Sequence, residues 1–333
     1  MEEEEGEKRE EAKDLEFFQA NPACLVSCSH DGSARVWDIR AADASARRFA
    51  VTSSEVYSCS VGRGDSALAC AASEKVHLFD AGQGKRLCVY KDCHTDVVNH
   101  VRFHPVDTSR LLTGAEDNLV VLLDTNQPRE DESMLGVIPN EECVRSFTLV
   151  GPGRGTLCCV STTDDVRIWG LGGESLGAKQ AEFLGLRFNE LLVRDDGEAF
   201  GYVVETFYDE PSGNVFLLAG AGCSGELLFF RMTLQAAVPA AGFRVPTISA
   251  LQEGGPFEGH SGIVRSALCL SGGVVLTAGE DGRVCAWSED SSLEAQDPQP
   301  EAPRPPRPQR FGLEPSSYGV CRGRGAAARA APY

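Results

Sequence analysis

Residues 12–40 and 98–126 of this chain are two copies of one pattern. Setting AKDLEFFQANPACLVSCSHDGSARVWDIR on VNHVRFHPVDTSRLLTGAEDNLVVLLDTN without a gap puts Phe17 on Phe103, Leu25 on Leu111 and Ser27 on Thr113. The same alignment puts Asp31 on Asp117 and Asp38 on Asp124. A third copy, HSGIVRSALCLSGGVVLTAGEDGRVCAW from His260 to Trp287, carries Thr277, Asp281 and Trp287 at the same offsets. An internal repeat at matched offsets constrains a fold more tightly than any single motif. Each copy is one unit that must stack on its neighbours to bury an apolar face.

Each copy holds three short apolar runs separated by Gly-rich or Asp-Gly turn signals, as in IVRSALCL, GVVLT and RVCAW, which predicts three antiparallel strands joined by tight turns. The third-strand ends can be followed along the chain at Trp37, Phe79, Leu123, Trp169, Phe230 and Trp287, at spacings of 42, 44, 46, 61 and 57 residues. Outer, fourth strands are expected at RRFAVT, RLCVYK, MLGVIP, AEFLGL and FRVPTI. Short β-rich runs with evenly spaced turns favour an all-β repeat architecture. The segment 186–201, LRFNELLVRDDGEAFG, breaks the rhythm and reads equally as a short helix or an extra strand.

These residues resemble the WD-repeat family, whose units build β-propellers. The resemblance is clearest at His94–Asp124, at FGYVVETFYDEPSGNVFLLAGAGCSGELLFFRM (residues 200–232) and at His260–Trp287. It implies an all-β propeller, typically of seven blades, with no catalytic role. Six blades are visible. Either the ring closes at six with a three-stranded last blade, or an N-terminal blade lies outside this sequence. The resemblance also implies a buried polar chain in each well-formed blade. His260, Thr277, Asp281 and Trp287 supply a full set. His94, Thr113 and Asp117 supply one with Leu123 in the Trp place, and Ser27, Asp31 and Trp37 supply one without the His. Carboxylate, imidazole, hydroxyl and indole N–H then satisfy one another in series.

The chain of 333 residues is 42% hydrophobic and 24% charged, which is ordinary for a globular protein. Residues 1–11 are too charged to bury a face and are expected to be a disordered acidic N-terminus. The propeller is assigned to 12–287. Residues 288–333 hold eight of the 17 prolines and are read as a disordered Pro/Arg-rich tail. The net charge of −18 repels phosphate backbones, so nucleic acid is not an expected partner, and a basic protein suits it better. The acidic start is unlike a signal peptide, and no apolar run is long enough for a membrane helix. The 13 cysteines include no C-x-x-C pair. These features together place the protein in the cytoplasm or nucleus.

An Asp281–His260–Thr277 triad needs an exposed nucleophile beside an oxyanion hole, whereas Thr277 belongs to an apolar strand and its spacing recurs as a repeat feature. His100 and His104 stand four residues apart on one strand, roughly 13 Å, too far to share a metal ion with His94. GPGRG at 151–155 lacks the Lys-Ser/Thr ending of a phosphate loop and reads as a hairpin. No cofactor and no metal are expected. The function so indicated is a non-catalytic scaffold for protein–protein interaction. One alternative stands beside it. LVSCSHDGSARVWDIR, Leu25–Arg40, resembles the sixteen-residue box of cullin-4-type ubiquitin-ligase substrate receptors. Asp38 and Arg40 would then contact the ligase adaptor.

Overall fold

The structure, a computed structural model, describes residues 11–41, 47–52, 54–127, 129–171, 182–183, 201–210, 213–221, 226–233, 247–250, 260–270 and 274–287. They fall in two compact units, the first ending at Phe188 and the second beginning at Asn189. The expected acidic N-terminus except Glu11, the Pro/Arg-rich tail, and all but the last residue of 186–201 lie outside the described residues.

The first unit holds four four-stranded antiparallel sheets. They are β1 to β4 (Ala12–Phe17, Cys24–Ser29, Ser33–Asp38, Arg47–Ala50), β5 to β8 (Val56–Gly62, Ala67–Ala72, Lys75–Asp80, Arg86–Tyr90), β9 to β12 (Val98–Phe103, Arg110–Ala115, Leu119–Asp124, Met134–Pro139) and β13 to β16 (Val144–Val150, Thr156–Ser161, Val166–Gly170, Glu182–Phe183). A short helix, α1, Glu130–Ser133, precedes β12. The second unit holds the sheet β17 to β20 (Tyr202–Asp209, Asn214–Ala221, Glu226–Thr233, Thr247–Ala250) and the three-stranded sheet β21 to β23 (Val264–Leu270, Val274–Gly279, Val284–Trp287). Each sheet is a meander in chain order, so five blades are four-stranded and a sixth has three strands among the described residues. The fold is the all-β propeller architecture the repeats imply.

The meanders follow from local chemistry. Between the second and third strands the chain turns through a residue with positive φ: Gly32 (78°), Ser73 (52°), Asn118 (65°), Asp164 (65°) and Gly282 (71°). Gly and Asn take this left-handed conformation most readily, which is why Asp-Gly and Asp-Asn mark the turn. Gly32 is required twice over, because a Cβ there would collide with the backbone oxygen of Thr52.

In all six sheets the innermost strand carries one bulge at the same place. The pairing register slips between Ala12 and Asp14, Val56 and Ser58, Val98 and His100, Val144 and Ser146, Val203 and Glu205, and Val264 and Ser266. The extra residue leaves the ladder and its side chain is re-aimed. Period-two reasoning on sequence does not reveal it. The core lies between consecutive sheets. Val26, Cys28 and Ala34 of the first blade meet Val56, Cys59 and Val61 of the second, all essentially buried. The strand Ala67–Ala72 is buried on both faces with small side chains, which lets neighbouring sheets approach closely.

Candidate functional site

In the sixth blade the polar residues form one directed chain. Trp287 Nε1 donates to Thr277 Oγ1 (2.8 Å), and Thr277 Oγ1 lies 2.8 Å from His260 Nε2. His260 Nδ1 lies 3.1 Å from both oxygens of Asp281. Asp281 only accepts, so Nδ1 carries the proton and Nε2 receives the threonine hydroxyl's. Asp281 also accepts the backbone N–H of Ser261 (2.9 Å) and Arg283 (3.1 Å). Burial alone would raise the Asp281 carboxyl, but these donors outweigh it and hold it below the ordinary carboxylate range.

The third blade repeats the arrangement without an indole. His94 Nδ1 is 3.0 Å from Asp117 Oδ2 and Nε2 is 2.7 Å from Thr113 Oγ1. His94 and Thr113 are buried, and Leu123 fills the indole's place in the core. The first blade divides its set. Trp37 Nε1 donates to Ser27 Oγ (2.9 Å), while Asp31 turns to Ser33 Oγ (2.7 Å) and the Arg35 guanidinium (2.8 Å). Without a histidine to bridge them, carboxylate and hydroxyl find separate partners.

Sequence reasoning missed the fourth blade's equivalent. Trp169 Nε1 donates to Asn140 Oδ1 (2.9 Å), and Asn140 Nδ2 donates to the Glu142 carbonyl (3.0 Å). Asn140 is fully buried. A signal existed. His94, Asn140 and His260 each stand four residues before the valine that opens an inner strand, Val98, Val144 and Val264.

A second network also went unread. Alternate side chains of one inner strand accept backbone N–H groups from the inner strand of the next blade. Asp14 accepts from Cys59 (3.1 Å) and Glu16 from Val61 (3.3 Å). Ser58 and Ser60 accept from Val101 (3.2 Å) and Phe103 (2.9 Å), and His100 Nδ1 from Phe147 (3.0 Å). In the second unit, Val264 N donates to the Tyr202 hydroxyl (2.7 Å). Arg102, which cannot accept, reaches back to Asp14 in a bidentate pair (2.8 and 3.0 Å). Burial pushes the Asp14 carboxyl up, but Arg102 overcomes it and leaves it at about 2. Two residues on, burial prevails and raises Glu16. Burial lowers His100 to about 3, so its ring is neutral and free to accept from Phe147.

The bulge residues gather at one end of each blade, the end at which the chain enters the inner strand. Nearly all donate to an acid. Lys13 Nζ lies 3.2 Å from Glu11, Tyr57 Oη 2.8 Å from Glu55, Asn99 Nδ2 3.5 Å from Glu116 and Arg145 2.7 Å from Asp164. In the second unit Arg265 Nε lies 2.8 Å from Glu280. The two ends of the first unit differ sharply in charge. The entry-end segments, residues 11, 30–32, 51–52, 54–55, 73–74, 91–97, 116–118, 140–143 and 162–165, hold twelve acids and Lys91, and Lys13, Lys75 and Arg145 at the adjoining strand ends bring the bases to four. The opposite-end segments, residues 18–23, 39–41, 63–66, 81–85, 104–109, 125–127, 129–133 and 151–155, hold five acids and five bases, and Asp38, Asp80, Asp124, Arg47, Arg86 and Arg110 at the adjoining strand ends bring each to eight.

Asp38 and Arg40 belong to that opposite end. Arg40 is 65% exposed, but its guanidinium is chelated by Asp38 at 2.9 and 2.7 Å. Hydrogen bonds from Arg40 hold the Asp38 carboxyl at about 2. The three neighbouring histidines each have separate work. His94 meets Asp117, His100 meets Phe147, and His104 Nδ1 accepts from Val106 and Asp107 (3.2 and 2.9 Å). No group of three metal-binding side chains occurs among the described residues.

Three segments, 13–38, 84–124 and 252–288, match the family model WD domain, G-beta repeat. They are the three blades in which a polar set could be read from sequence. The chain is 28% identical over 282 residues to WD repeat-containing protein GTS1 of Arabidopsis thaliana, covering 81% of this chain and 68% of that protein. It is 24% identical over 277 residues to WD repeat-containing protein 89 homolog of Dictyostelium discoideum, covering 83% and 71%. A chain in a crystal structure of the mitotic checkpoint complex superimposes with a TM-score of 0.60 over 83% of this chain and 73% of that one. At 13% identity that likeness concerns the fold alone.

Proposed function

This chain carries WD repeats, and from that premise we propose that it is a non-catalytic scaffold for protein–protein interaction, acting in the cytoplasm or nucleus. The observation that carries the reading is the shared bulge. It lifts Lys13, Tyr57, Asn99 and Arg145 out of the ladder at one end of the first unit and leaves the sheets below unchanged. Side chains set on a rigid ladder at its rim, each held by an acid, present fixed polar groups to a partner. The His–Thr–Asp chains support a non-catalytic reading. His94, Thr113, His260 and Thr277 are buried and hydrogen-bonded to one another within their blades, and a nucleophile needs access to substrate. The free cysteines, eleven among the described residues, suit a reducing compartment.

The test is affinity purification with wild type and the triple variant Lys13→Ala/Tyr57→Ala/Arg145→Ala. Partners recovered by wild type should be lost from the variant at an unchanged thermal midpoint. Equal recovery would reject the bulge rim as the binding surface. The ubiquitin-ligase alternative draws on the exposure of Arg40 just past β3. In that reading Arg40→Ala loses a cullin adaptor that wild type retains.

A further inference from the structure

We propose that the entry end of the first unit binds a Lys- and Arg-rich segment of another polypeptide; this deepens the scaffold reading and rests on it. Two independent observations carry it. The first is the charge asymmetry, twelve acids against four bases at this end and eight against eight at the other. Net negative charge spread for solubility alone has no reason to avoid one end of the same sheets. A concentrated field raises the local concentration of an oppositely charged partner and speeds its encounter. Asp96, Glu116 and Glu141 are exposed within it.

The second observation lies beneath the surface. Asp165, in the turn between β14 and β15, is 7% exposed, its Oδ1 receives no N–H group, and its carboxyl lies within hydrogen-bonding reach of that of Glu142. Glu142 itself faces Arg167 and Thr163. A buried carboxylate set against a second carboxyl, with no N–H group on one of its oxygens, costs free energy that an arriving cation recovers. Lysine ammonium and arginine guanidinium donate in the needed direction and bring the positive charge. Nucleic acid is excluded by the sign of the field.

The experiment titrates the full chain into a short fluorescent peptide of alternating Arg, Lys and Ser, followed by anisotropy at low and high salt. Affinity should fall about tenfold between about 50 and about 300 mM NaCl. The triple variant Asp96→Asn/Glu116→Gln/Glu141→Gln should weaken binding by about tenfold or more, and Asp131→Asn/Glu132→Gln, at the opposite end, should leave it unchanged. Thermal midpoints of both variants confirm that each is folded. Equal binding by the two variants overturns the proposal, as does tighter binding to single-stranded RNA than to the peptide. The scaffold reading fails separately. If wild type recovers no partner in affinity purification while the peptide result holds, the reading of function falls and the basic-segment site stands. If partners are recovered equally by the acid-depleted variant, this site falls and the scaffold stands.

Discussion

Thr277 shows how much one side chain can hold. Its hydroxyl accepts the Trp287 indole N–H and faces His260 Nε2, so removing it strands two buried groups at once. Thr277→Val keeps the shape and should cost about 2–4 kcal/mol of unfolding free energy. Trp287→Tyr deletes the indole donor and part of the ring, whereas His260→Gln shortens the bridge to Asp281. Chemical denaturation of these three variants should rank Thr277→Val at least as destabilising as His260→Gln. A smaller loss for Thr277→Val would mean that the hydroxyl is not the junction. Glycine gives a second comparison at this scale. Gly32 and Gly282 occupy the same turn position with φ of 78° and 71°. Only at Gly32 does a Cβ meet a neighbouring backbone, whereas nothing lies within 4 Å of one at Gly282. Gly282→Ala should cost about 1 kcal/mol for the left-handed backbone, and Gly32→Ala clearly more. Equal losses would show that the Thr52 segment yields freely.

On one strand, β1, two acids at alternate positions carry opposite signs. Asp14, buried but paired with Arg102, is held at about 2, below its ordinary 3.8. A depressed carboxyl contributes stability that is complete above its unfolded pKa and disappears as pH falls through the folded value. The Asp14 contribution, roughly 2 kcal/mol, is therefore present above about pH 4 and lost toward pH 2. Glu16 is raised by burial, so its charged form opposes folding and protonation relieves it. Asp14→Asn should accordingly destabilise at pH 7, and Glu16→Gln, which keeps an oxygen for Val61 N, should be neutral or stabilising there. Urea unfolding at pH 7 and near pH 4 measures both. Loss of stability on Glu16→Gln at pH 7 would place the pairing with Arg102 above burial. The bulges belong to this scale too. All six inner strands slip register at the same place, although the bulged residue varies among Lys13, Tyr57, Asn99, Arg145, Val204 and Arg265. Its constancy lies in backbone geometry, and the variety of its side chain from blade to blade is what suits it to recognition.

For the molecule as a whole, charge sets the response to solution conditions. The −18 net charge is concentrated in part at the entry end of the first unit, where like charges repel across neighbouring turns. Added salt screens that repulsion, so the thermal midpoint should rise between low and moderate ionic strength. Asp96→Asn/Glu116→Gln/Glu141→Gln should reduce this salt dependence as well as peptide binding. A midpoint that falls with salt would mean that the ion pairs outweigh the repulsion. Repetition made much of this legible in advance. The six third strands, most fourth strands and the His260 and His94 chains follow from offsets of single residues. The Asp31 pairing with Arg35 does not, because it depends on a histidine that the first blade lacks. Nor does Asn140, whose place is marked by distance from Val144 and not by its type.

The sequence by itself determined the fold class, the number of visible blades, the turns and the type of polar chain. These depend on period-two apolar runs and on turn residues, which act over a few neighbouring positions. Only the tertiary structure decided the bulges, the rungs from Asp14 to Cys59 and from His100 to Phe147, and the Asp14–Arg102 pair. These join residues roughly 45 to 90 positions apart across stacked sheets. A side chain's partner there is fixed by which blade packs beside it, and stacking is a property of the assembled sheets and not of any one segment.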